Sequence, residues 1–598
     1  MKKATILLVA AFGLGFSYAA EGNFDALQSK VSKEIQDFLD EEDSYESQVT
    51  PSKTYTVDIL GRKKSSNKIT LLGKAKTSKK RKIRVDITNF DMPDYKVKTT
   101  SSKMEVDGET GKIRLWLNNK EVSQEEFEKA NEKAMRERPT FVAGYTDSLS
   151  AEEIKKLLKK NKHIYISKHV KPIDQMAYTS IFNTSQITTT AFTNSAKGNG
   201  VGIHFAESGC PHYYFRTSKY VQLNGCANGV QMHPTGVLQI LSNTAPEATI
   251  YGQDEGSMNG EDQIWPNPWQ HPTDPNNPDK YPGIFISSHS WAISDSREYI
   301  NVDAMMDNYV YNTRIVAVVA AGNSGNNFNV TSPGKALNAI TVGAVDPTND
   351  NYVYYSNWKN SDIGNEKPEV ANYTDFEFNN SYTFQYPCGE SSCTYNGYFN
   401  GTSAATPYTA AMIADLMSHY PFLKGHPELI KAILVSGEKR PIPNAASHNP
   451  ENTTVAAKGI PVYSSLAWNR TLRTWEGENN EVFDSNQKIT FTETGIKGSH
   501  YRIGIAWLTS GKYIFYNKDL SNNNYKLPQD IDLRVYQNGK VIASSTSYKN
   551  PFEVVDFTPK ANGDLTIEIH RWRNTQNQSS EYMPPEKVIL GYSMWIDW

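Results

Sequence analysis

Between residues 177 and 475, short apolar runs alternate with helix-like stretches, and nothing else in this 598-residue chain constrains its fold as much. The strand-like runs are VGIHFAE (201–207), ATIYG (248–252), GIFISSHS (283–290), RIVAVVAAG (314–322) and AITVGAV (339–345). Between them lie VLQILSN (237–243), VDAMMDNYV (302–310) and AATPYTAAMIADLMSHY (404–420), which read as helices. Alternation of this kind predicts an α/β unit, a parallel sheet with helices on both faces. No apolar run reaches the ~18 residues that would span a bilayer, so no membrane anchor is expected. The net charge of -3 gives no reason to expect nucleic acid as a partner.

Four short segments in this region carry candidate chemistry. In FNGTSAATP (399–407), Ser403 opens a helix, where a hydroxyl lies near the positive helix end; an ordinary serine cap is the alternative use. In VVAAGNSG (318–325), Asn323 follows a strand between two glycines, either as an oxyanion donor or as a plain turn residue. In QMHPTG (231–236), His233 stands at a helix start, a base or a satisfied structural histidine. Glu207 ends the strand VGIHFAE, an orienting carboxylate or a turn acid. Each is weak alone. In order they supply acid, base, oxyanion donor and nucleophile, and a serine nucleophile needs all of these.

The same residues resemble the subtilases, the subtilisin-like serine peptidases. GTSAATP (401–407) is similar to the family's nucleophile signature and AAGNSG (320–325) to its oxyanion segment. SPGKALNAITVGAVD (332–346), KPEV (367–370), SSHSW (287–291) and QITTTAFTNSAKGNGVGI (186–203) are similar to further landmarks in the family's order. The resemblance implies a subtilisin-like fold and a catalytic set of Glu207, His233 and Ser403, with Asn323 at the oxyanion. It also implies substrate contacts at Ser290 and Gly322. Two departures stand out: Glu207 where the family has Asp, and His233-Pro234-Thr235-Gly236 where it has His-Gly-Thr. The longer Glu is expected to need a folded-back rotamer or a displaced helix start, with Pro234 accompanying the displacement and biasing His233 away from the α region.

The flanks read differently. Residues 1–19 have a charged start (Lys2, Lys3), an apolar stretch and a small-x-small site ending at Ala19, the pattern of an export signal. Residues 20–176 hold 31 Lys+Arg and 26 Asp+Glu, a net of +5, whereas residues 177–598 hold 29 and 39, a net of -10. This border sets off a small α+β prodomain, whose segment FVAGYTDSLSAEEIKKLLKKNKHIYISKHV (141–170) resembles the second half of a subtilisin-type propeptide. The resemblance places the mature N-terminus near Met176 to Tyr178 and makes the prosegment the enzyme's own inhibitor. From about 476 the chain is rich in short strands, with an Asn538-Gly539 hairpin signal, which predicts a C-terminal β-sandwich, jelly-roll-like, over 476–598. Four cysteines in an exported chain are expected to pair locally, as Cys210–Cys226 and Cys388–Cys393.

The expected protein is a secreted or periplasmic serine endopeptidase, monomeric, made as a zymogen and acting on protein or peptide substrates. No cofactor is expected, and no structural calcium site is located. A catalytically impaired subtilase-like module that binds peptides is the alternative that the two departures leave open. A zinc hydrolase built on His204, His212 and His233 is a more remote one, since no helical H-E-x-x-H occurs.

Overall fold

The computed structural model describes residues 31–48, 81–89, 100–106, 112–136, 144–161, 164–168, 173–174, 197–254, 283–293, 298–325, 328–358, 365–377, 385–388, 391–394, 398–437, 439–444, 459–461, 466, 470–517, 527–574 and 587–597. The export signal and the expected maturation site at 176–178 lie outside these residues. So do the side chains of Cys388 and Cys393, although their backbones form the two-stranded hairpin Gln385–Cys388 and Ser391–Thr394.

Seven parallel strands form the central sheet. Their spatial order is Val370–Tyr373, Ile340–Val345, Val316–Ala320, Ile284–His289, Gly202–Glu207, Thr249–Asp254, Tyr220–Gln222. The strands predicted from apolar runs are all here, nearly every residue buried, as a sheet covered on both faces requires. On one face Ile203, Phe205, Ile286 and Val318 pack with the helices Met232–Thr244 and Thr402–His419. On the other, Tyr251, Ile284, Ala317 and Val319 pack with the helix Asn301–Thr313. The chain leaves Gly202–Glu207 for the edge strand Tyr220–Gln222, returns through Thr249–Asp254, and then builds the sheet outward on the other side of Gly202–Glu207. The C-terminal end of that strand is therefore the topological switch point, where open α/β sheets form their crevice.

The N-terminal part divides between two bodies. The antiparallel sheet Gly144–Ser150, Lys82–Asn89, Ile164–Lys168 packs with the helices Lys33–Gln48 and Ala151–Lys160 around its own core. Ser150 caps the second helix in a reciprocal box with Glu153, as its sequence predicts. The strands between these elements go elsewhere. Thr100–Val106, Ile113–Leu117 and Lys120–Val122 extend a seven-stranded antiparallel sheet whose other members are Arg470–Gly477, Val588–Asp597, His500–Trp507 and Phe552–Phe557. A second antiparallel sheet of Lys488–Gly495, Gly563–Asn574, Gln529–Gln537 and Lys540–Ser545 closes over it around Ile503, Ile505, Leu533, Ile567 and Tyr592. This is the β-sandwich. Asn538 (φ 51°) and Gly539 (φ 72°) turn its hairpin as the sequence predicts. The sandwich sheet thus crosses the expected borders at 176 and 475. Among the described residues, no helix is long and apolar enough to cross a membrane.

Buried charges hold the layers together. Lys367 and Lys431 both meet Glu369 Oε1, at 2.7 and 2.9 Å, and Thr341 N–H donates to its other oxygen at 2.9 Å. Asp307 receives Leu337 N (3.0 Å), Asn338 N (2.6 Å) and Tyr299 OH (2.7 Å). Burial pushes Lys367 down to about 8 and Asp307 up to about 7. Leu337 and Asn338, ahead of the strand Ile340–Val345, are thus pinned to the helix Asn301–Thr313, and the segment KPEV, ahead of Val370–Tyr373, to the helix Pro427–Ser436.

Candidate active site

Strand ends and helix starts deliver every component. Glu207 terminates the central strand at the switch point. His233 is the second residue of its helix and Ser403 the second residue of the helix Thr402–His419. Gly401 caps that helix at φ 84°, a conformation that a residue without a side chain adopts readily. Asn323 follows the strand Val316–Ala320 through Ala321 and Gly322.

The three reactive groups form a relay. His233 Nε2 lies 3.0 Å from Ser403 Oγ, and His233 Nδ1 lies 2.9 Å from Glu207 Oε2. All three are at least 96% buried. The Ser403 hydroxyl is also within 3.0 Å of the Ser290 carbonyl, while Ser290 Oγ donates to Ser403 O at 2.9 Å. Ser290 therefore fixes the nucleophile's backbone. Thr402 N–H and Oγ–H both donate to Asn323 Oδ1, at 2.9 and 3.0 Å, and Gly322 N–H donates to Thr402 Oγ1 at 3.2 Å. The amide oxygen of Asn323 is committed to Thr402, which leaves the NH2 end as the donor face beside the nucleophile. At Gly322 (φ 109°) a Cβ would stand 2.6 Å from Asn357 Nδ2 and from Thr331, so this turn needs glycine.

At the variant histidine motif the structure departs from one expectation, that Pro234 biases His233 away from the α region. The helix begins at Met232, ahead of His233, so His233 is helical and Pro234 lies inside the first turn. There a backbone N–H has no intrahelical acceptor, and proline costs nothing in hydrogen bonds. Thr235 Oγ1 donates to Gln231 O (2.6 Å) and accepts from His212 N (2.9 Å), which ties the helix start to the loop after Glu207. Gly236 admits Phe399: a Cβ there would sit 2.3 Å from the ring. Phe399 in turn meets the His233 imidazole edge to face at 5.2 Å.

Cys210 and Cys226 are bonded to each other, with Cα atoms 5.7 Å apart. This closes the loop between acid and base, and Arg216 braces it with two hydrogen bonds to Pro211 O at 3.1 and 2.9 Å. Tyr213 and Tyr214 stand exposed on it. Burial, with Arg216 nearby, holds His212 below the ordinary histidine range. The histidines of the zinc alternative have separate partners. His204 meets Ser287 Oγ (2.8 Å) and Gln253 Oε1 (2.9 Å), and His212 Nδ1 accepts from Tyr214 N (3.3 Å). Among the described residues, no group of three or more His, Cys, Asp or Glu is placed to hold a metal ion.

Sequence reasoning missed the buried chain that runs from Gln253 through His204 and Ser287 to His289, whose Nε2 lies 2.9 Å from Ser287 Oγ. It underlies the segment that carries Ser290. Lone histidines on two strands gave no signal of it, because the pairing crosses the sheet.

The model of the subtilase family matches residues 219–455. That span holds His233, Asn323 and Ser403 in the geometry just described. This part of the chain is similar to the subtilase family. Glu207 and Cys210 precede the matched span. The serine protease AprX of Bacillus subtilis (strain 168) is 34% identical to the chain over 158 residues, which cover 23% of this chain and 35% of AprX. The chain thus spans about a third of that relative's length. Among solved structures, the prenylagaramide maturation protease PagA is similar over 48% of this chain and 96% of its own, at 16% identity and a TM-score of 0.32. The patellamide maturation protease PatA is similar over 45% and 96%, at 17% identity and a TM-score of 0.31.

Proposed function

We propose that the protein is a serine endopeptidase that cuts peptide bonds through an acyl-enzyme on Ser403, and that residues 20–176 are its inhibitory prosegment. The observation that carries this reading is the continuous relay Glu207–His233–Ser403, with contacts of 2.9 and 3.0 Å. Ser403 Oγ attacks the scissile carbonyl while His233 Nε2 takes its proton. Glu207 holds the Nδ1–H tautomer and stabilises the imidazolium. The Asn323 amide and the first-turn N–H groups of the Ser403 helix face the oxyanion as it develops. His233 then gives its proton to the leaving amine, and water resolves the acyl-enzyme by the same steps in reverse.

The reading of the prosegment rests on a short ladder. Ile173–Asp174 pairs antiparallel with Trp291–Ala292, with Trp291 opposite Asp174 and Ala292 opposite Ile173. Trp291 directly follows Ser290. The ladder therefore joins the prosegment to the stretch beside Ser290, whose carbonyl meets the nucleophile. Self-cleavage is expected near Met176 to Tyr178, at the charge border. The burial of Ser403 supports a latent precursor. Export belongs to this reading, supported by the residue 1–19 pattern and by the Cys210–Cys226 bond, which suits an oxidising compartment.

Peptide hydrolysis by the purified chain tests the proposal. The active form should begin near Met176 to Tyr178, whereas Ser403→Ala should hydrolyse nothing and keep its prosegment. Equal processing of Ser403→Ala in a protease-free host would show that the cut is not its own.

A further inference from the structure

We propose that residues 100–136 are a resident part of the subtilase body and stay bound to it when the remainder of the prosegment leaves. The inference goes beyond the proposed activity, although it uses the reading of residues 20–176 as a removable prosegment.

Two cores separate what leaves from what stays. The inhibitory module, made of residues 31–48, 81–89 and 144–168, buries Ile35, Phe38, Val85, Ile154 and Ile166 against one another. It is complete without the body. Its ties to the body include Asn301 Nδ2 to Ser167 Oγ at 3.0 Å, the Tyr165–Phe515 edge contact at 4.9 Å and the two-residue ladder at Ile173–Asp174. The inserted strands Thr100–Val106 and Ile113–Leu117 and the helix Gln124–Arg136 have no such core of their own. Met104, Val106, Leu115 and Phe127 are buried in the same cluster as Phe422, Leu466 and Leu472 of the body.

The hydrogen bonding points the same way. Residues 100–105 pair one for one with residues 471–476, so the insertion covers the edge of the strand Arg470–Gly477. Without it, that strand would present a row of unpaired N–H and C=O groups beside an open core. Three pins add to the ladder: Ser102 Oγ to Thr474 Oγ1 at 2.6 Å, Asn131 Nδ2 to Lys424 O at 2.9 Å, and Phe127 edge-on to Phe422 at 5.9 Å.

A consequence follows for activation. The insertion lies between the module's two stretches of chain, so a single cut near 176 leaves the module tethered to the body. A tethered inhibitor keeps a high effective concentration over the cleft. Lasting activity then requires cuts on both sides of the insertion, and the active enzyme contains residues 100–136 as a separate chain.

Two measurements test this, and the first does not depend on catalysis. In full-length Ser403→Ala, recognition sequences for an exogenous site-specific protease are placed within 90–99, 137–143 and 175–178. The cut protein is run on size exclusion at rising urea, with intact masses taken. The inhibitory pieces should elute apart first, and the 100–136 fragment should stay one-to-one with the body until the body unfolds. Release of that fragment at or below the urea that frees the inhibitory pieces, from a body that keeps its near-UV circular dichroism, would overturn the proposal. Second, Ser102→Cys with Thr474→Cys locks the insertion to the body in otherwise wild-type protein. The rate at which activity appears should stay within about twofold of wild type. A tenfold or larger loss, restored by a reductant that leaves wild type unaffected, would mean that the insertion has to depart. A chain inactive in every form would end the proposed activity and leave the first measurement to decide this one.

Discussion

Replacing Glu207 tests the acid whose identity departs from the family. Its carboxylate is fully buried and lies 2.9 Å from His233 Nδ1, so the imidazolium formed during acylation sits beside an unscreened negative charge. Two unit charges about 4 Å apart at an effective dielectric of about 20 interact by about 4 kcal/mol. Glu207→Gln removes that attraction, which is about three powers of ten in kcat. If the new amide turns its NH2 toward Nδ1, it enforces the wrong tautomer, and the loss approaches ~10⁴. Glu207→Asp keeps the charge but shortens the side chain by roughly 1.5 Å, one C–C bond. Because Gly236 is wedged against Phe399, the helix that carries His233 has no room to follow. Losing the close charged contact costs about 1.5–3 kcal/mol, or roughly 10- to 150-fold. Pro234→Gly should not rescue it, since Pro234 lies in a first turn that is already regular. The assay is kcat and KM for wild type, Glu207→Gln, Glu207→Asp, Pro234→Gly and the Asp/Gly double variant, per titrated active site, alongside the rate of precursor conversion. A folded Glu207→Gln within tenfold of wild type would show that the carboxylate plays no part in turnover. Rescue of Asp by Gly would show that the helix start is movable after all.

Other expectations are simpler to read. Asn323→Ala should lower kcat by about a hundred- to a thousand-fold with little change in KM, the loss usual for one oxyanion donor; a change in KM alone would make Asn323 a binding residue. Non-reducing peptide maps of the exported protein should show Cys388–Cys393 beside Cys210–Cys226, and free thiols at 388 and 393 would refute that pairing. Burial, with His204 nearby, holds His289 well below the ordinary histidine pKa, so below about pH 6.5 the unfolded chain binds a proton that the fold refuses. Its contribution is therefore complete above about pH 6.5 and falls by up to about 1.4 kcal/mol per unit on further acidification. His289→Gln should flatten that part of the Tm-against-pH curve, and an unchanged slope would assign the acid sensitivity to other groups.

The central sheet was legible because its strands are apolar on both faces and bounded by glycine, proline or polar turns. The candidate site residues stood out because each lies at such a boundary: Glu207 at a strand end, Asn323 between glycines, His233 and Ser403 in first helical turns. The place of Thr100–Val106 was not. Its sequence TSSKMEV is mostly polar, with only Met104 and Val106 fully buried, and its partner strand begins at Arg470. Strand pairing at that separation leaves no local signal, so a composition border at 176 marked where the chain changes charge without marking where the sandwich sheet ends. Pro234 misled for a related reason. A proline disfavours the α region for the residue before it, but the packing of Gly236 on Phe399 and the Thr235 hydrogen bonds hold His233 in the helix regardless.

The most direct test of the account is covalent capture of its nucleophile. Matured protein treated with a fluorophosphonate probe should be labelled once, and mass mapping should place the label on Ser403. His233→Ala should slow that labelling by at least a hundredfold while leaving the fold intact. Folded, matured protein that stays unlabelled, or a label on any other serine, would contradict the relay Glu207–His233–Ser403 as a working catalytic centre.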